Sequence, residues 1–140
     1  KKINQYIRGG FILLFLILII VNLQISPLLK EPNRQLQRTQ EISKFLIEQA
    51  GDKPFNFALI AKSNYDAAYQ FYLDQYGHKP LQLPFDITDQ LFVVCEDQEC
   101  LPVGHPKYEI AAFGWSKIEK ETKIFGVRVF KLVHNPSGKP

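Results

Sequence analysis

Methionine is absent from the 140 residues. The chain opens on Lys1-Lys2-Ile3-Asn4 and is read as the C-terminal fragment of a longer protein, its hydrophobic segment the last of several. Cysteine occurs only twice, and two cysteines with His105 do not make a recognised zinc-ligand spacing. No metal and no cofactor is therefore expected. Long basic clusters are also missing. A net charge of +3, scattered along the chain, is too weak a field for nucleic acid. There is no G-x-G-x-x-G, P-loop, G-x-S-x-G or H-E-x-x-H. His78, His105 and His134 stand apart, none in a triad-like context, so a hydrolase lacks a nucleophile–base pair. No repeat or low-complexity segment is present. Catalytic residues are not visible.

One kind of residue is abundant in one place. Phe11-Ile-Leu-Leu-Phe-Leu-Ile-Leu-Ile-Ile-Val21 is unbroken apolar sequence, and the uncharged stretch extends from Gly9 to Leu29 between Arg8 and Lys30. About 21 residues make roughly 31 Å of helix, close to a bilayer's hydrocarbon core of about 30 Å. Residues 1–30 therefore read as a transmembrane helix with its flank. A cleaved secretory signal is the competing reading, but residues 22–27, Asn-Leu-Gln-Ile-Ser-Pro, offer no A-x-A-like cleavage site. Lysine and arginine flank the helix on both sides, so charge alone does not orient it. Residues 31–134 are expected to form one modest α/β domain, and 135–140 a frayed tail.

Within that domain, residues 33–50 read as an amphipathic helix, with Leu36, Ile42, Leu46 and Ala50 on its apolar face and Gly51 as its stop. Residues 55–61 and 91–95 are short apolar runs, as expected of strands buried on both faces. The helix between them, over 65–76, makes a parallel βαβ unit, with Ser63 and Asp66 resembling a capping box. A short helix is expected over 107–113. Residues 115–125 alternate, placing Ser116, Ile118, Lys120, Thr122 and Ile124 on one face of a charged edge strand. Gly126 turns the chain into a hairpin partner over 127–133.

Three groups of residues are candidates for more than scaffolding. Lys62, Ser63, Asn64 and Asp66 follow the first core strand, and Glu96, Asp97 and Glu99 follow the second. Ligands bind at that edge of open α/β sheets, although such loops also serve simply as wet helix caps. Tyr65, Tyr69, Tyr72 and Tyr76 are spaced four, three and four apart, which makes one helical stripe. Such a stripe either packs on the sheet or offers rings and hydroxyls to a sugar or headgroup. Cys95 and Cys100 either close a short disulfide loop on an oxidising face, or Cys95 is a reduced, buried strand residue.

The order of these segments resembles a known arrangement. A membrane helix and an amphipathic helix lead to Pro54-Phe-Asn-Phe-Ala-Leu-Ile-Ala61, then Asp66-Ala-Ala-Tyr-Gln-Phe-Tyr-Leu73 and Asp89-Gln-Leu-Phe-Val-Val-Cys-Glu96. His105-Pro-Lys-Tyr-Glu-Ile-Ala-Ala-Phe-Gly114 and Val129-Phe-Lys-Leu-Val-His134 close the series. It resembles the C-terminal extracytoplasmic domain of bacterial membrane glycosyltransferases related to the dolichyl-phosphate-mannose protein mannosyltransferases, over residues 3–134. The resemblance implies a polyprenyl-phosphate-linked sugar donor and a catalytic acid in a loop upstream of Lys1, so no catalytic residue carries over. It implies that Lys1 is cytoplasmic and the domain lies outside the cell membrane, which favours the Cys95–Cys100 disulfide. The partners implied are the bilayer, upstream helices of the same protein, and a lipid-linked sugar or acceptor. Lys62, Ser63, Asn64, Asp66 and Tyr69 are then the candidate contacts. The alternative is a membrane-anchored extracytoplasmic binding or scaffold module without catalysis.

Overall fold

The computed structural model describes residues 2–26, 34–62, 65–97 and 99–138. The chain divides into two units, Lys1–Arg34 and Gln35–Pro140, a boundary four residues beyond the expected one.

The first unit is the helix α1, Lys2–Ile25. Its segment Asn4–Ile25 is long and apolar enough to cross a membrane, and none of it is buried by protein. Asn22 is a polar residue next to the apolar run. Its side-chain amide donates to the Leu18 carbonyl at 2.7 Å, one turn back, which satisfies it within the helix.

The second unit is a mixed α/β domain. Helix α2, Gln35–Ala50, buries Thr39, Ile42, Ser43, Leu46 and Ala50, one face at helical spacing. Leu36, expected on that face, is 69% exposed. The covered part of the face begins one turn later, at Thr39. Gly51 ends the helix at φ +59°, its N–H bonded to the Ile47 carbonyl.

Strand β1, Asn56–Ile60, and strand β2, Gln90–Cys95, are fully buried and pair in parallel, Phe57 with Phe92 and Ile60 with Cys95. Helix α3, Ala67–Gln75, joins them. It starts two residues later than expected, and Asp66 is its N-cap position with no side-chain cap bond. The capping box with Asp66 inside the first turn is therefore corrected: the Asp66 carboxylate accepts from Gln70 Nε2 instead. At the other end, the Gly77 N–H bonds the Asp74 carbonyl and the His78 N–H bonds Leu73. This double closure needs the left-handed conformation that Gly77 supplies.

Helix α4, Tyr108–Phe113, precedes the hairpin of β3, Ser116–Ile124, and β4, Val127–His134. The sheet order is β1-β2-β4-β3, so β4 is internal and the charged β3 is an edge. Phe125 and Gly126, both at positive φ, make the two-residue turn. The expected single face of β3 is broken by a register shift between Ile118 and Lys120. Ile118 pairs with Leu132 but Lys120 with Lys131, so the extra residue sends Ser116 and Ile118 to one side and Lys120, Thr122 and Ile124 to the other.

Two apolar layers result. Under α2 and α3 lie Phe57, Leu59, Phe92, Val94 and Val129, with Tyr69 and Leu73 from α3. On the opposite face lie Val93, Cys95, Phe130 and Leu132, covered by Ile110 and Phe113 of α4 and by Cys100. A buried polar knot closes the strand-start edge. Asn56 Nδ2 donates to the carbonyls of Leu81 and Asp86, and Asn56 Oδ1 accepts the Thr88 N–H at 2.9 Å. The expected tail is ordered at its start: Asn135 N–H bonds the Trp115 carbonyl, and Gly138 N–H bonds Asn135.

Candidate functional site

The two parallel strands end side by side, and the Glu96 N–H continues their ladder onto the Ile60 carbonyl at 3.0 Å. That fixed backbone places Glu96 below α2 and α3. Its Oε1 accepts from the Tyr69 hydroxyl at 2.8 Å and from Arg38 Nη2 at 3.1 Å. The side chain of Glu96 is 11% exposed and that of Arg38 25%. Three elements, α2, α3 and the end of β2, thus meet at one carboxylate. Arg38 Nε is buried with no hydrogen-bond partner among the described residues.

Tyr69 is fully buried. Burial pushes its phenol well above the usual range, and the neighbouring Glu96 carboxylate adds to the rise, against smaller opposing effects of Arg38 and Thr39. The hydroxyl is therefore a neutral donor at any physiological pH and neither a base nor a nucleophile.

The sequence-selected residues divide as follows. Lys62 is exposed, and its backbone N–H donates to Asp97 Oδ1 at 3.3 Å, which ties the two strand ends together. Asp66 is half-buried and engaged by Gln70. Ser63 and Asn64 lie outside the described residues. Tyr69 joins the core, its ring 5.6 Å from that of Phe57. The tyrosine stripe is split, because Tyr65 precedes α3 and is 85% exposed while Tyr69 is buried. Tyr72 and Tyr76 are half-buried and stacked, and the Tyr76 hydroxyl accepts from Gln40 Nε2 at 2.9 Å.

Cys95 and Cys100 are joined in a disulfide, with Cα atoms 6.1 Å apart. Both are buried, and Arg128 Nη1 donates to the Cys100 carbonyl at 3.2 Å. The bridge closes the loop that begins with Glu96 and so holds the carboxylate's backbone from both sides.

Arg38 was not legible as a member of this cluster. It sits on the polar side of the α2 pattern, and its partner is 58 residues away. The only local hint is Thr39 beside it, a polar residue at a position the helical period buries. Chemically, the cluster is a closed hydrogen-bonded lock with a polar rim at Lys62 and Asp97. Among the described residues, no three of His, Cys, Asp and Glu gather as metal ligands. Compared with known protein families, with curated proteins and with solved structures, the chain matches none.

Proposed function

We propose that this chain is the C-terminal part of a multi-pass membrane glycosyltransferase that uses a polyprenyl-phosphate-linked sugar. In this reading α1 anchors the α/β domain on the outer side of the cell membrane, and the catalytic acid belongs to a loop upstream of Lys1. The observation that carries it is the joining, in one chain, of a membrane-length apolar helix to a disulfide-bridged α/β domain. A disulfide fits an oxidising, extracytoplasmic face. The order of segments that resembles the mannosyltransferase-related enzymes supplies the reaction class. The domain's own part is to support the membrane core and shape the approach to it. Its strand-end carboxylate is already committed to Arg38 and Tyr69, which suits a rigid scaffold.

The coding sequence upstream of Lys1 tests this directly. The expected result is about ten further apolar segments, each of about 20 residues, with an acidic residue in the first outer loop. A single helix after a short leader contradicts the reading and leaves a membrane-anchored binding or scaffold module.

A further inference from the structure

A cleft of about 550 Å³ opens along α4. That volume lies within the range of small-molecule pockets, about 300–1,000 Å³. Val103, Pro106 and Ile110 give it an apolar wall, and His105, Gly114 and Trp115 complete the part that matters here. No Lys, Arg, Asp or Glu is among the described residues that line it. The nearby Lys107 is paired with Glu109 at 3.8 Å. The cleft therefore suits a neutral ligand.

Trp115 is 73% exposed, which is unusual for the largest apolar side chain. It is not a loose loop tip. Its carbonyl accepts the Asn135 N–H at 2.9 Å, and Ser116 after it is buried as the first residue of β3. Before it, Gly114 stands at φ +86° and ψ −157°, a conformation open essentially to glycine alone. Phe113, one residue further back, is buried and stacked on His134 at 4.2 Å. The backbone thus fixes the point from which the exposed indole projects. On the same cleft, His105 Nδ1 accepts the Lys107 N–H at 3.1 Å. In the neutral ring that leaves the proton on Nε2, as a donor.

We propose that this cleft binds a neutral pyranose ring, with its C–H face on the Trp115 indole and a hydroxyl accepting from His105 Nε2. A flat aromatic surface, one N–H donor and apolar walls match a sugar's alternation of C–H face and hydroxyl edge. Among the described residues, no Lys or Arg lines these walls to meet an anionic ligand. The ring belongs either to an acceptor glycan or to a lipid-linked sugar. The proposal rests on the glycosyltransferase reading only in choosing which sugars to offer. The titrations below read binding at this cleft and not transfer, so the two readings fail separately.

Trp115 is the sole tryptophan, so its emission reports on this cleft alone. The full chain in lipid nanodiscs, free of sugar-headed detergent, is titrated with methyl pyranosides of mannose, glucose and N-acetylglucosamine. The expected result is a saturable change with at least one of them, weakened about tenfold by His105→Ala, as the loss of one hydrogen bond implies. Glycerol at equal concentration is expected to give no saturable change. Saturation-transfer NMR on the sugar then reads Trp115→Ala, which is expected to lose the signal while its melting temperature stays that of the parent. Half-saturation at lower concentration by the same sugar on a short polyprenyl phosphate assigns the lipid-linked source. Equal half-saturation assigns the acceptor glycan. No saturable response to any pyranoside, a response matched by glycerol, or a retained transfer signal in Trp115→Ala overturns the proposal.

Discussion

Glu96→Ala is expected to destabilise the α/β domain by about 3 kcal/mol, which lowers its melting temperature by about 12 °C for a domain of this size. The side chain receives the Tyr69 hydroxyl and an Arg38 N–H, so its removal leaves a buried phenol and a three-quarters-buried guanidinium without their acceptor. Hydrogen bonds to charged groups contribute about 1.5–3 kcal/mol each, and partial solvent access at Arg38 reduces its share. Glu96→Gln keeps an acceptor in place and is expected to cost about 1 kcal/mol. A companion readout is pH. The Tyr69 phenol is raised above its unfolded value, so the stability it confers is complete below about pH 10 and falls as pH rises further. Tyr69→Phe should be less stable at pH 8 and flatter above pH 10. Thermal melts across that range check both, and equal slopes for the parent and Tyr69→Phe would contradict the coupling.

Loss of the Cys95–Cys100 bridge is expected to cost about 2 kcal/mol. The loop is short, and closing about six residues constrains the unfolded chain by roughly that amount. Both cysteines are buried beside Val93 and Phe130, so Cys95→Ala with Cys100→Ala also thins the layer under α4. The consequence extends to Glu96, which follows Cys95 directly. The double variant should therefore loosen the Arg38–Glu96–Tyr69 cluster as well as lower the melting temperature by at least about 8 °C. Mass spectrometry of alkylated, non-reduced protein checks the bond itself. Two alkylated thiols in protein from an oxidising compartment would contradict it.

Much of this fold was legible because its local signals agree. Residues 57–60 and 91–95 are apolar without alternation, short runs bounded by turn residues as in a sheet covered on both faces. Gly51, Gly77 and Gly126 stand at positive φ where the sequence places helix ends and the hairpin turn. Where local pattern and structure part, the deciding feature is a helix start or a contact far away in sequence. Leu36 continues the apolar period of α2 but extends past the buried part of that face. Tyr65 continues the tyrosine stripe but precedes the first turn of α3. The register shift near Glu119 depends on β4, and the alternation of β3 alone does not reveal it. Asn56 sits inside an apolar strand yet makes the bonds that hold the 81–88 loop, with partners at least 25 residues away. The candidate site was visible in outline as the polar ends of two parallel strands. Its centre, a carboxylate shared by Arg38 and Tyr69, comes from three elements that only tertiary packing brings together.

If this chain is the non-catalytic tail of a lipid-linked-sugar transferase, as proposed, it transfers no sugar alone. Transfer from such a donor needs a base set against the acceptor hydroxyl, and a single membrane helix encloses no site for a polyprenyl phosphate. The decisive measurement is product formation from a polyprenyl-phosphate-linked sugar, run in parallel with the full-length membrane protein and with residues 1–140 in the same lipid. The expected result is product from the full-length protein and none from residues 1–140. Product from residues 1–140 alone, or none from the full-length protein with any donor sugar, would contradict it.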